Sequence, residues 1–578
     1  MLAFSMAVAA GEDTQHHELN VYRDTIESIW VAIVLAFVLR AFMIEAFVIP
    51  TGSMAPRLLG EHWDLVCPAC GYEFAYGGAS SATDSGRLSH AQKTPPENAR
   101  CPNCGTPYPA AEQPDFLNSG DRVLVMKYLY NFLDPQPWDV VVFKNPQDNR
   151  QNYIKRLIGL PGETIEIVHG DIFVSAGPDP NLRSIRHKPP QAQEAMWQVV
   201  YDNDYPPDPG FPGRGDTPRW RPADESHLWD LDANGGRCFR YQGGKDSTGI
   251  FLQADSEVFY PHYGYNGWQR DRERFNRDID VCSDLRLSAV LFPQGGSDVS
   301  VRLGLSSFEF RFEAEITSDG VVSLLCRGPG LPEDAKPLQT KVAALQPGKG
   351  YRIALTHVDF RAEVWVEGQR VLATTEQEYP GPKAKGCYQW LLQRLEHVPA
   401  QRIPPPEVRM AARGGACELR HVALHRDVYY TPHRLDPIPE GPSGDYARDI
   451  NRARSDARDK RLAPGDIRHR AVQPGGRGWG TTGCPVQLAK NPQDPDLDEF
   501  FCLGDNSPQS LDGRGWIQAA DSLRLYTPDG HFLYQLGTVP RYNLLGKALF
   551  VYWPGGYRLP FLRSLPIVPN VGKMRFVR

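Results

Sequence analysis

Three short segments of this 578-residue chain contain residue types that can carry out nucleophilic catalysis. Ser53 lies in PTGSMAP, Lys155 lies in NYIKRLIGLPG, and Ser510, Asp512 and Arg514 lie in FCLGDNSPQSLDGRGW. A serine hydroxyl is a weak nucleophile and requires a base within hydrogen-bonding distance. Taken singly, each segment also fits an ordinary role, as a turn serine, a solvated strand lysine or a surface ion pair.

Lys155 is the candidate base. It lies on an alternating strand next to Arg156, so the two cations must face opposite sides of the sheet, and one of them points inward. A lysine that accepts a proton must be neutral, which requires its pKa to fall from about 10.4 by roughly 3 units. Apolar burial beside a second cation produces such a shift.

A long apolar segment precedes Ser53. A helix needs about 20 residues to cross about 30 Å of hydrocarbon, so the sequence predicts a transmembrane helix over 26–48 after an N-terminal tail, residues 1–25. A buried core helix is the alternative, because Arg40 and Glu45 are costly inside a bilayer. A cleaved signal peptide fits less well, because several acidic residues precede the segment and no small-x-small site ends it.

Residues 61–120 contain two Cys-Pro-x-Cys-Gly turns, one with Cys67 and Cys70 and one with Cys101 and Cys104. Two such turns can present four thiolates to one tetrahedral Zn²⁺, whose role is then structural because no coordination position stays open. In a compartment that oxidises thiols, the same cysteines can instead form two disulfides. The pattern predicts a zinc-ribbon-like insertion with a structural zinc.

The fold class indicated by the rest of the chain is mainly β. Short β-branched strands separated by Pro/Gly turns begin at Asp121 and return after residue 498, and alternating strands between them favour an antiparallel, jelly-roll-like sandwich. The assigned boundaries are a discontinuous β core over 49–60, 121–175 and 484–560, an insertion over 176–483 with its sandwich at about 236–430, and a C-terminal tail over 561–578.

The composition is that of a folded chain, with 41% hydrophobic and 23% charged residues, and it excludes wholesale disorder. The 53 Gly and 51 Pro residues favour turns and short strands over long helices. A formal net charge of -6 provides no basic field for a phosphate backbone, so no nucleic-acid partner is expected.

The order of the three motifs points to a family. PTGSM after an apolar span, YIKRLIGLPGE about a hundred residues later and LGDNSPQSLDGRGW near the end resemble the motifs of type I signal peptidases, the membrane-bound Ser-Lys peptidases. The resemblance covers roughly 26–60, 121–175 and 498–553. It implies that Ser53 is the nucleophile of an acyl-enzyme and Lys155 the general base, with no catalytic metal or cofactor.

The resemblance also implies supporting residues. Ser510 would orient the lysine amine, Asp512 and Arg514 would brace its loop, and the Thr51 hydroxyl would join the Ser53 amide in an oxyanion hole. An extended substrate would lie between two strands, with small side chains in pockets that fit Ala-x-Ala cleavage sites. The implied pocket walls, each of which could equally be ordinary core, are Phe47, Ile49, Pro50, Met54, Leu58, Tyr153 and Ile154.

The resemblance further implies partners and a location. The partners would be signal-peptide-bearing preproteins and the lipid bilayer, and the chain would be a single-pass protein of the inner (plasma) membrane with its catalytic domain on the exported, periplasmic side. The acid-rich N-terminal tail departs from the positive-inside pattern, so charge alone does not orient the span.

The middle strands FEFRFEAEI and YRIALTHVDFRAEVWVEGQRVLATT resemble a laminin-G or concanavalin-like sandwich, which implies a glycan or protein ligand or a spacer role. Two rival functions follow. One is an adhesion or scaffold protein that carries the sandwich on an inactive peptidase core, and the intact motifs disfavour it. The other is a self-cleaving Ser-Lys repressor, which the apolar span and the lack of a basic patch disfavour.

Overall fold

The chain is mainly β in a computed structural model, as the sequence predicts. The described helical segments are 25–35, here α1, then α2 (Leu129–Phe132), α3 (Pro190–Met196) and α4 (Cys387–Glu396). The residues that the structure describes are 23, 25–35, 43–77, 99–109, 117–211, 219–254, 256–262, 264–266, 281–295, 298–380, 386–396, 403–431, 478–516, 520, 523, 534–555 and 570–578.

One antiparallel sheet carries both Lys155 and the strand that leads to Ser53. Its strand order is β1-β4-β28-β5-β6-β26-β27, with β29 paired to β28. Apolar side chains pack on both faces of this sheet: Val123, Val125 and Val142 lie in one cluster, and Val141 and Phe143 lie in another. The strands are β1 (Ile44–Val48), β4 (Arg122–Met126), β5 (Val140–Lys144), β6 (Asn152–Gly159), β26 (Glu499–Leu503), β27 (Val539–Pro540), β28 (Leu544–Trp553) and β29 (Arg575–Phe576).

The segment predicted to be one transmembrane helix over 26–48 is not helical throughout. Residues 25–35 are helical, but Ile44–Val48 form β1, whose backbone pairs with β4 and so needs no helical hydrogen bonds. The intervening residues 36–42 lie outside the described part of the chain. Among the described helices, none combines the length and the apolar character that crossing a bilayer requires.

The core sheet also includes the far end of the chain. Strand β29 pairs with β28 through Phe550 and Phe576, so part of the predicted C-terminal tail, 561–578, belongs to the sheet. Two smaller sheets flank this core. One is the hairpin of β2 (His62–Val66) and β3 (Glu73–Gly77), and the other contains β7 (Glu163–Val168), β8 (Asp171–Ala176), β9 (Ser184–Ile185) and β25 (Val486–Gln487).

The predicted antiparallel sandwich is present in the middle of the chain. Two sheets share one apolar core, in which Leu287, Leu303 and Phe312 are fully or almost fully buried. The first sheet contains β10 (Gln198–Asp202), β12 (Trp229–Asp230), β13 (Cys238–Tyr241), β15 (Leu285–Pro293), β20 (Tyr351–Val358), β21 (Arg361–Val366), β22 (Gln369–Ala373) and β24 (Cys417–Arg426). The second contains β11 (Arg219–Pro222), β14 (Gly244–Gln253), β16 (Val299–Ser307), β17 (Phe310–Thr317), β18 (Val321–Arg327), β19 (Leu338–Lys341) and β23 (Val408–Gly414). The predicted start at about 236 is too late, because β10 and β11 already belong to these sheets.

A buried lysine joins the sandwich to the chain segment that precedes α3. Lys188 Nζ lies 2.7 Å from a carboxylate oxygen of Asp359, in the turn after β20, and 2.7 Å from one of Asp427, just after β24. All three side chains are at least nine-tenths buried. Because a buried charge is costly unless it is paired, these contacts hold the two parts of the chain in one arrangement.

Candidate active site

Ser53 and Lys155, which are 102 positions apart, meet in the structure. Lys155 Nζ donates a hydrogen bond to Ser53 Oγ at 2.5 Å, and it lies 3.2 Å from the Ile154 carbonyl oxygen. Only 8% of Ser53 and 3% of Lys155 are exposed. The nucleophile and base that the sequence suggests are therefore in direct contact, in a site that largely excludes water.

The local structure explains how the two residues come together. Ser53 lies in a turn after β1, which the Ala55 amide closes by donating to the Gly52 carbonyl at 3.0 Å. Lys155 lies inside β6, where it pairs with Val141 of β5. Side chains alternate along a strand, so Lys155 shares a face with Tyr153, whose ring centre lies 5.2 Å from Nζ.

Burial changes the acidity of the Lys155 amine. Removal from water lowers its pKa from 10.5 to about 8, although the nearby Asp512 carboxylate opposes this shift. A neutral amine is therefore abundant at mildly alkaline pH. Such an amine can accept the Ser53 proton across the contact that already exists.

The loop after β26 is braced by a buried ion pair. Arg514 donates to both carboxylate oxygens of Asp512, at 2.9 and 2.7 Å, and neither side chain is exposed. Asp512 also accepts from the Gly504 amide at 3.0 Å, and Arg514 donates to the Thr431 carbonyl and to Ser507 Oγ. This pair is therefore an internal support of the loop, not a surface contact.

Ser510 lies beside the candidate nucleophile, but it does not bond the lysine. A Cβ added to Gly504 would lie 2.1 Å from Ser510 Oγ and 2.5 Å from the Ser53 carbonyl oxygen, which shows how closely the loop and the turn approach. The buried Ser510 hydroxyl has no hydrogen-bond partner among the described residues. The implied bond from Ser510 to the Lys155 amine is thus absent from the structure.

Two supporting groups were not identified from the sequence. Arg156 forms a two-point ion pair with Asp505 at 2.7 and 2.6 Å, and the Asn506 side chain donates to the Gly52 carbonyl at 2.9 Å. Lys155 and Arg156 lie on opposite faces of β6, as strand alternation predicts, and both are buried. The sequence feature that could have identified these groups is the adjacent Asp-Asn pair in LGDN.

The predicted pocket residues divide into separate groups. Ile49, Met54, Leu58 and Ile154 pack in one apolar cluster, with Phe47 at its border. Alternation along β6 places Tyr153 in a different cluster, with Phe143 and Trp516. Pro50 is exposed and Thr51 is partly buried, two positions before Ser53.

Two strand edges near the dyad are open among the described strands. The pairing of β26 with β6 covers Arg156 to Gly159 and ends before Lys155. Strand β1, which leads to Ser53, pairs with β4 on one side only. An extended peptide can add its backbone to edges of this kind.

The four cysteines of the two turns lie together. Cys67 Sγ is 3.5 Å from Cys104 Sγ, Cys70 Sγ is 3.6 Å from Cys101 Sγ, and all four sulfurs lie within 4.8 Å of one another. These separations are too long for disulfides, and all eleven cysteines are free thiols. Four thiolates about 2.3 Å from a tetrahedral Zn²⁺ lie about 3.8 Å apart, so the donor set fits zinc.

Comparison with known proteins finds that part of the chain is similar to signal peptidases. Residues 110–204 match the family model described as "Signal peptidase, peptidase S26". A protein named "Probable signal peptidase I-1" from Synechocystis sp. is 39% identical over 69 residues, which are 11% of this chain and 35% of that protein. A signal peptidase I from Rickettsia bellii is 26% identical over 149 residues, 26% of this chain and 38% of that protein. The chain thus spans little more than a third of the length of these relatives.

The comparison with solved structures gives a weak similarity to part of the chain. A carbohydrate-binding module from Bacillus subtilis is 9% identical, with 36% of this chain and 94% of that module covered and a TM-score of 0.22. A score this low does not establish a shared fold.

Proposed function

We propose that this chain is a membrane-anchored serine endopeptidase that removes signal peptides from exported preproteins. The observation that carries the proposal is the 2.5 Å contact between Ser53 Oγ and the buried Lys155 amine. The match of residues 110–204 to the signal peptidase model, and the similarity to two signal peptidases, support the same reaction class.

The reaction uses side chains and one backbone amide of the chain. The neutral Lys155 amine accepts the proton of the Ser53 hydroxyl, and Oγ attacks the scissile carbonyl. The developing oxyanion is stabilised by the Ser53 amide and the Thr51 hydroxyl. Lys155 then gives its proton to the leaving amine, and water hydrolyses the acyl-enzyme ester at Ser53, which restores both residues.

The substrate binds as an added strand. The open edges of β1 and of β6 before Lys155 supply backbone donors and acceptors for an extended peptide. Side chains of the peptide point alternately toward the apolar cluster of Ile49, Met54 and Ile154. A compact apolar wall suits the small residues of an Ala-x-Ala site.

The helix α1 anchors the chain at the inner (plasma) membrane, with the catalytic domain on the exported side. Trp30, Val31 and Val34 of this helix are each more than half exposed, at 62%, 66% and 56%. Such an apolar surface is costly in water and favourable in lipid. A tether close to Ser53 raises the effective concentration of membrane-held preproteins.

The proposal is tested with a purified preprotein that ends its signal peptide in Ala-x-Ala. We expect the unaltered chain to release the mature protein by one cut after the second Ala. The matched control is the same preprotein with Trp at that Ala, which the small pocket rejects. If neither preprotein is cut, the scaffold hypothesis is favoured instead.

The pH dependence follows from the lysine. Because the pKa of Lys155 is lowered to about 8, the amine is mostly protonated below that pH and cannot accept a proton. We expect kcat/KM to rise about tenfold per pH unit below pH 8 and to level off above it. Steady-state assays between about pH 6 and 10 measure this profile, and a flat profile across pH 7 to 9 contradicts the assigned base.

The four clustered cysteines bind one structural zinc in this proposal, and their sulfur separations support it. We expect about one zinc per chain by elemental analysis, and its loss in a Cys70→Ser variant. The control is Cys326→Ser, which removes a buried cysteine in the sandwich core. Equal zinc content in the three proteins would exclude this site.

A further inference from the structure

The inserted sandwich region reaches the turn that holds the candidate nucleophile. Residues 264–266 come after the short helical turn Ser256–Phe259. They lie against the turn that holds Ser53. The Tyr265 hydroxyl donates to the Glu61 carbonyl at 3.0 Å, and the Tyr265 carbonyl accepts from the Gly77 amide at 2.8 Å. A Cβ on Gly52 would lie 2.0 Å from the Tyr265 ring, so the ring packs directly on the backbone next to Ser53.

The next residue forms a pair of amide hydrogen bonds with the catalytic loop. Asn266 Nδ2 donates to Asn506 Oδ1 at 2.8 Å, and Asn506 Nδ2 donates to Asn266 Oδ1 at 2.9 Å. Both side chains are almost fully buried, with 3% and 1% exposed. Each amide therefore fixes the orientation of the other, because a buried amide that loses its partner carries a desolvation cost.

Asn506 also holds the backbone on both sides of the nucleophile. Its Nδ2 also donates to the Gly52 carbonyl at 2.9 Å, and its backbone amide donates to the Ser53 carbonyl at 3.1 Å. These two carbonyls lie on either side of the Ser53 Cα, which carries the hydroxyl that must meet the Lys155 amine. A continuous set of hydrogen bonds thus runs from the insertion to the backbone of Ser53.

We infer that Asn266, a residue of the inserted region, is a positioning residue for the Ser53 nucleophile. The inference rests on the proposed function, and it gives the insertion a part in the peptidase reaction. The Asn266 amide bonds Asn506, whose own amide bonds the Gly52 carbonyl next to Ser53. It acts by holding Asn506, and a displacement of about 1 Å at a reacting group can cost about 100-fold in rate.

The test compares Asn266→Ala and Asn266→Asp in the full chain with the preprotein assay. We expect kcat to fall about 10- to 100-fold in both variants, with KM within about twofold. The rising limb of the pH profile of Asn266→Ala should stay near pH 8, because this substitution adds no charge near the lysine. Aspartate has the same shape, but it cannot donate to Asn506 Oδ1, so it serves if the alanine variant fails to fold.

The matched control is Asn203→Ala, which removes another buried asparagine of the insertion. Asn203 Oδ1 accepts from the Val422 amide inside the sandwich at 2.8 Å, away from the loop. The inference is overturned if the folded Asn266 variants keep the kcat of the unaltered chain, or if Asn203→Ala lowers kcat equally. An unaltered chain that cuts no preprotein refutes the proposed function instead.

Discussion

Lys155→Met is expected to lower preprotein cleavage by about 10⁴-fold or more, and Ser53→Ala by a similar factor. Methionine nearly matches the length of lysine but has no amine to accept the proton of Oγ. Because the two residues act as one unit across the 2.5 Å contact, the double variant is expected to lose little more activity than either single variant. Initial rates with the purified preprotein measure these effects.

Stability measurements separate a chemical effect of Lys155→Met from misfolding. The pKa of the buried amine is lowered from 10.5 to about 8, so the folded state binds this proton more weakly than the unfolded state. The free energy of unfolding of the unaltered chain therefore decreases as pH falls from 10.5 to about 8. The methionine variant has no amine and so lacks this pH-dependent loss of stability. The variant should therefore unfold at an equal or higher temperature at pH 7. Retained cleavage in a folded variant would remove the lysine from the mechanism.

Arg514→Met is expected to destabilise the chain by about 3–5 kcal/mol, because it leaves the Asp512 carboxylate buried without its cation. It also removes the hydrogen bonds to the Thr431 carbonyl and to Ser507, so the loop beside Ser53 should lose its order and cleavage should fall with it. Denaturant unfolding of the full chain measures the change in free energy.

The matched control for Arg514→Met is the double variant Asp512→Asn with Arg514→Met. The asparagine keeps an oxygen for the Gly504 amide but carries no charge, so much of the lost stability should return. If the free energy of unfolding of Arg514→Met lies within about 1 kcal/mol of that of the unaltered chain, the ion pair does not support the loop.

The sequence was sufficient to predict the features that depend on a local pattern of residues. Alternating β-branched residues predicted β4, β5 and β6, and strict alternation predicted the sandwich, because the side-chain period of a strand is read directly from the chain. The two Cys-Pro-x-Cys-Gly turns likewise predicted four clustered thiols, which the structure contains. The motif order was enough to suggest that Ser53 and Lys155 meet.

Features that depend on pairing between residues far apart in the chain could not be predicted from the sequence. The apolar composition of Ile44–Val48 fits a helix and a strand equally, and only pairing with β4 decides between them. The Arg156–Asp505 pair joins residues 349 positions apart, and the Asn266–Asn506 pair joins residues 240 positions apart. No local pattern reports which buried polar groups will satisfy one another across such separations.

The close packing of the Tyr265 ring on Gly52 has an evolutionary consequence. In this chain, a larger residue at position 52 would collide with the ring. The ring therefore narrows the substitutions that the PTGSM turn accepts at this position. Residues 52 and 265 are accordingly expected to change together, because a larger residue at 52 needs a smaller one at 265.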